Sequence, residues 1–228
     1  MEEKQSIFVY DDSLSWGIIP GTRQRFEFST RWPGRLEQLL LKSGYDVRVI
    51  EDCLNGRRTA WTDPVRSGRC GAEGLAQRIE AQSPLSLVIV VLGTNDFQSD
   101  RSIDAQESAN GLSQVISEIR GALIEPGMLP PRVLIIAPPE IGRLNADMAV
   151  KFGDAAERCR GLARAYKSVA ERFGCHFWDA GEVCRTSSVD GVHLDELDHA
   201  KISEFLAAWL PNVFPLRRPD RGPENTRD

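Results

Sequence analysis

Four short stretches of the chain carry residue types that could do chemistry together. Residues 7 to 17, IFVYDDSLSWG, run an apolar segment into Asp11, Asp12 and Ser13. DCLNGRRT (52–59) carries Gly56, and GTNDF (93–97) carries Asn95. DGVHLDELDH (190–199) carries Asp190 and His193. An acidic pair at the end of a strand has two chemical uses. It can hold magnesium beside a phosphoaccepting aspartate, as in a receiver module. Alternatively the working group is the Ser13 hydroxyl, and Asp12 braces the turn that presents it. A serine hydroxyl is a weak nucleophile until a base takes its proton, and a third group must orient that base.

These stretches need elements to hold them. Strand-like runs occur at 6–10, 46–51, 86–93, 132–139 and 175–180. Helical spacing occurs near 32–43, 72–82, 105–123, 154–173 and 196–209, with Leu36, Leu39 and Leu40 on one face and Ile116, Ile119 and Leu123 on another. Alternating strands and helices with near-continuous apolar strands imply a parallel sheet covered on both faces. The expected fold is therefore α/β: a flavodoxin-like three-layer sandwich around a five-stranded parallel sheet. One domain over 1–214 is expected, and the Pro-rich charged stretch 215–228 reads as a disordered tail.

In such a sheet, active groups gather beyond the carboxyl ends of the strands. A receiver would need an acid after strand three and a lysine after strand five. Strand three ends in Gly93-Thr94-Asn95, and no lysine lies near the ends of strands four or five. The serine reading needs a histidine, and the chain has three. His176 sits in an apolar strand and reads as core. His199 reads as a solvated or capping residue of a helix. His193 follows Asp190 by three residues in a Gly-containing loop, so one tight turn could set the carboxylate against one ring nitrogen. The plain alternative for DGVH is an Asx-turn before a helix. Donors for a developing oxyanion are available from the Asn95 amide, the Gly56 N–H and the Ser13 N–H. Asn95 as a turn closer and Gly56 as an ordinary loop glycine are the alternatives.

Taken together, DDSLSWG, GTND and DGVH closely resemble blocks of the GDSL or SGNH hydrolase family, and CLNGRRT resembles the remaining block more weakly. The segment ending in RWPG (31–34) resembles the arylesterase and acyltransferase branch. The resemblance runs to about residue 210. It implies Ser13 as nucleophile, His193 as base, Asp190 as its orienting acid, and Ser13, Gly56 and Asn95 as the oxyanion hole. It also implies a small-molecule ester substrate, often a short-chain or acetyl ester, no cofactor, no metal, and acyl transfer to alcohols in some members. Some members of that branch form large homo-oligomers, which leaves self-association open here. Leu14 and Trp16 are expected beside the acyl group, with loops 18–31 and 140–152 walling the pocket. One position departs from the pattern: Asp11 stands where the first block usually begins with Gly. A positive φ there, or a carboxylate within reach of His193, would follow from that exchange.

Composition narrows the alternatives. Net charge is −5 and arginines are scattered among acids, which argues against nucleic acid. No apolar run approaches a membrane span, and the first residues lack the pattern of a signal peptide. Five cysteines without a CxxC spacing read as reduced thiols of a cytoplasmic protein, and nothing marks one as a nucleophile. No GxSxG elbow of an α/β-hydrolase occurs. Two rival functions remain. His193, Asp195, Asp198 and His199 could hold the metal of a phosphoesterase, although acids in a first helical turn also suit the helix dipole. A non-catalytic flavodoxin-like module would need a phosphate-cradling loop after strand one, which the Gly-poor DDSLSW suits badly.

Overall fold

A computed structural model describes residues 4–219. Five parallel strands form one sheet in the order β2-β1-β3-β4-β5. They are β1 (Gln5–Asp11), β2 (Val47–Cys53), β3 (Leu87–Val91), β4 (Arg132–Ala137) and β5 (His176–Asp179). Each lies within two residues of its expected position. Side chains alternate across a strand, so each central strand feeds two cores. Phe8, Tyr10, Val88, Val90, Val133 and Ile135 face one side; Ile7, Val9, Leu87, Ile89, Leu134 and Ile136 face the other.

Helices cover both faces. On the first face lie α3 (Leu75–Gln82), α4 (Ala105–Gly121) and α7 (Leu162–Phe173). On the second lie α2 (Trp32–Lys42) and α8 (Glu196–Val213). Three short helices complete the set: α1 (Ser13–Trp16), α5 (Ala146–Phe152) and α6 (Ala155–Arg158). Among the described residues, no helix is long and apolar enough to cross a membrane. The three-layer α/β architecture is as expected.

Local details differ from the periodicity. The single helix expected over 154–173 is broken at Gly161, which is left-handed at φ 80°. Leu123 lies beyond α4 and is exposed, because the helix ends at Gly121. Residues 146–152, expected only as pocket wall, form α5, capped by the Asn145 side chain on Met148 N. His176 is half-buried on edge strand β5, its ring 4.5 Å from that of Phe214, rather than in the core. The stretch from 215 does not begin as a free tail. Asp46 N donates to Arg217 O at 3.0 Å, and Gln5 Nε2 donates to Pro215 O at 3.1 Å. Residues 220–228 of the expected tail lie outside the described residues.

The crevice between β1 and β3 is where the strand order reverses, the usual ligand position in such sheets. It is braced from below by Asp96. This buried carboxylate accepts from Thr59 N (2.8 Å), Thr59 Oγ1 (2.7 Å) and Ser108 Oγ (2.7 Å). It thereby ties the loop after β2 and helix α4 to the loop after β3. Asp96→Ala leaves these buried donors without an acceptor, each costing about 1–3 kcal/mol. The variant should lose about 3 kcal/mol of stability or more, read as a lower urea midpoint with an unchanged m-value.

Candidate active site

Strand β1 ends in two fully buried aspartates. Asp12 caps α1. Its Oδ1 accepts from Leu14 N at 2.8 Å, and its Oδ2 accepts from Asn95 Nδ2 at 2.7 Å. Asp12 is thus the brace of the turn that presents Ser13. Ser13 is the first residue of α1, and first-turn amides have no acceptor within their helix. Its N–H and its hydroxyl have no hydrogen-bond partner among the described residues.

Asn95 is held from both ends. Gln98 Nε2 donates to Asn95 Oδ1 at 2.8 Å, while Asn95 Nδ2 donates to Asp12. These bonds fix which way the amide points and leave one of its N–H groups unspent. Gly56 is buried with φ at 84°, a left-handed geometry that favours glycine. Its N–H also has no partner among the described residues. The loop carrying it is moored to β1. Leu54 N donates to Asp11 O at 2.9 Å, Arg57 Nη1 donates to the same oxygen at 2.9 Å, and the Arg57 guanidinium lies 3.9 Å from the Tyr10 ring centre.

Asp190 organises the last block. Its Oδ1 accepts from Val192 N and His193 N, both at 2.9 Å, and its Oδ2 lies 2.7 Å from His193 Nδ1 and 3.2 Å from Gly21 N. Burial alone would raise the Asp190 carboxyl, but these bonds, that from the His193 ring first, hold it well below the usual range. An ionised carboxylate only accepts, so His193 Nδ1 is the donor in this contact, and Nε2 is the ring nitrogen not engaged by Asp190. The Asx-turn geometry offered as an alternative is therefore also present, in the same three residues.

The other expectations fare differently. Asp11 ends β1 as extended strand, and no residue other than glycine has positive φ among the described residues. Its carboxylate accepts from Ser15 Oγ and Asp12 N, and Ser15 Oγ in turn accepts from Trp32 Nε1 at 2.8 Å. Burial, then the neighbouring Asp12 charge, raises the Asp11 carboxyl well above its ordinary value. His193 is among the groups that lower the Asp12 carboxyl, after the bonds from Leu14 N and Asn95. Leu14 lines a small apolar hollow with Trp32, Ile136, Pro139 and Leu194. Trp16 instead packs its ring under the Arg25 guanidinium at 4.8 Å.

The four residues of the metal alternative are sent apart. His193 is bound to Asp190, Asp195 caps α8, and Asp198 pairs with Lys201 at 2.9 Å. His199 is neither solvated nor capping. It is fully buried, with Nδ1 accepting from Trp32 N at 3.2 Å, and burial pushes it down to about 4. No group of three or more His, Cys, Asp or Glu side chains converges among the described residues. Sequence reasoning missed Asp96 and Arg57, which position the loops. An acid following Asn95 at a buried strand end was the available signal for Asp96. Arg57 carried none, because arginine is ordinarily exposed.

If Asp190 is the acceptor that shapes its loop, Asp190→Ala should expose the amides of Gly21, Val192 and His193. Hydrogen exchange should quicken at these positions by tenfold or more while Leu14 N stays protected. The depressed carboxyl contributes stability fully above the unfolded value of roughly 4 and loses it as pH falls below that. The stability gap between the two proteins should therefore narrow on acidification, measured by urea unfolding at pH 7 and pH 3.

Comparison with known proteins identifies the family. The profile of the GDSL-like lipase/acylhydrolase family matches residues 12–200. An arylesterase of Vibrio mimicus is 29% identical over 147 residues, a match spanning 64% of this chain and 62% of that protein. The M. smegmatis aryl esterase structure superposes with a TM-score of 0.86 at 30% identity, covering 92% of this chain and all of that one. A carbohydrate acetylesterase from Sinorhizobium meliloti gives a TM-score of 0.86 at 29% identity over the same shares. With all four blocks inside the matched residues and assembled at one sheet edge, the chain belongs to the GDSL-like lipase/acylhydrolase family, whose members are carboxylic ester hydrolases.

Proposed function

We propose that this protein is a serine esterase that cleaves short-chain or acetyl esters through Ser13, His193 and Asp190. The carrying observation is the Asp12 carboxylate, which binds the turn of Ser13 and the amide of Asn95 at once. That bridge ties the turn of Ser13 to the Asn95 side chain, which keeps one N–H unspent.

The steps follow from the donors and acceptors. Ser13 Oγ attacks the ester carbonyl carbon as His193 Nε2 takes its proton. Asp190 holds the imidazolium through Nδ1–H. The carbonyl π electrons move to oxygen, and this oxyanion is met by the N–H groups of Ser13, Gly56 and Asn95. When the electrons return, the C–O bond to the alcohol breaks and His193 gives the alcohol its proton. Water, deprotonated by His193, then attacks the acyl-enzyme and frees the acid and Ser13. An aryl esterase and a carbohydrate acetylesterase among the relatives make aryl and sugar acetates the first esters to assay.

A fluorophosphonate probe should label Ser13 in one-to-one ratio, and Ser13→Ala should abolish hydrolysis. Mass spectrometry finding the label on another residue would refute the assignment. Asn95→Ala should reduce kcat by about 10²–10³ with little change in KM, because that donor acts on charge present only in the transition state. Acyl transfer is the second half of the reading. An added alcohol should compete with water and yield transfer product in aqueous buffer, whereas pure hydrolysis at every alcohol concentration would confine the enzyme to esterase chemistry.

A further inference from the structure

Three cations gather above the buried site. Arg66, on the loop after β2, lies against Gly56: a methyl group built on that glycine would collide with its guanidinium. Lys151, at the end of α5, comes from a segment pinned to the loop after β3, where Ser99 N and Oγ donate to its carbonyl at 2.9 and 3.0 Å. Arg23 lies two residues beyond Gly21, whose N–H donates to Asp190. Arg66 and Lys151 are only half-buried, while Ser13, Gly56 and Asn95 beneath them are buried.

Two of these cations are incompletely spent. Arg66 uses Nε and Nη2 on Asp63 Oδ2, at 3.2 and 2.9 Å, and leaves Nη1 without an acceptor among the described residues. Lys151 has no carboxylate within 4.0 Å among them; its Nζ sits 5.0 Å from the centre of its neighbour Phe152's ring. The acids nearby do not balance them. Asp63 is taken up by Arg66, with Arg58 at 4.0 Å, and Asp12 is spent on Leu14 and Asn95. The buried Arg57 and Arg58 differ: each turns a terminal nitrogen to a carboxylate, of Asp52 and Asp100 respectively.

We propose that Arg66 and Lys151 form an anion clamp at the mouth of the site, selecting esters whose alcohol half carries a negative group such as a carboxylate. This rests on the esterase reading. The alcohol half is specified because Arg66 and Lys151 are partly exposed while Ser13, Gly56 and Asn95 are buried, and the alcohol is the product released first. The state of Lys151 adds a second handle. Burial, then the charge of Arg66, pushes its ammonium down to about 8, with Arg23 acting the same way and Asp12 and Asp63 opposing. Lys151 is therefore cationic below about pH 8 and loses its charge above it.

The test compares 4-acetoxybenzoate with its neutral methyl ester, at low salt, in the wild-type enzyme and in Arg66→Gln and Lys151→Met. The wild type should favour the anion in kcat/KM. That ratio should fall about tenfold in each variant, the size of one charge-assisted contact. It should also shrink in roughly 1 M salt and as pH rises through about 8. The pH step should vanish in Lys151→Met. Turnover of both esters with no anion preference, or with a ratio untouched by the variants, would overturn the clamp and leave the esterase reading standing. No turnover of either ester, with no labelling of Ser13, would remove both.

Discussion

The site depends on one buried carboxylate. Asp12 joins the end of β1 to the end of β3 by accepting from a backbone amide on one side and a side-chain amide on the other. Burying a carboxylate is costly unless its lone pairs are satisfied. Burial raises Asp12 against the opposing pull of these two bonds. The chain therefore has strong reason to keep both donors in place. The orientation of Asn95, and with it the spare N–H, is a by-product of satisfying Asp12.

The same device recurs in the other loops. Asp96 binds the loop after β2 to α4, and Asp190 binds residues 192–193 to Gly21 of the loop after α1. Loops at a sheet edge lack the ladder that saturates strand amides. Here side-chain carboxylates take over that duty, each collecting donors from segments far apart in sequence. The result is a set of rigid loops around the crevice between β1 and β3. Among the described residues, the amides of Ser13 and Gly56 are two that no protein acceptor takes up. Asp11 fits the same logic: its carboxylate serves Ser15 and, through it, the Trp32 indole under α2. It is a strut for the second core.

Much of the fold was legible in the chain. Continuous apolar runs such as SLVIVVLG admit few readings in a chain that also shows helical spacing between them, and all five strands lie where those runs are. The blocks around Ser13, Asn95 and His193 were legible because each joins a strand end or turn to residue types with few other uses in combination. His199 was misread because a polar residue near a helix start is usually wet, whereas the packing of Phe26 against its ring, 5.4 Å between centres, shuts water out. Charge and proline in the stretch from 215 gave no sign that its first residues, 215–217, bond Asp46 and Gln5 at the edge of the sheet.

The sequence by itself determined the five strands, their order and a list of candidate residues, because apolar periodicity and turn residues act over a few positions. Only the tertiary structure decided which acid serves which donor. Asp11 and Asp12 are chemically identical neighbours, yet one turns into the core toward Ser15 and the other across to Asn95, 83 residues away. Nothing local distinguishes them. The strand's alternation sends successive side chains to opposite faces, and what waits on each face is set by helices and loops from distant parts of the chain.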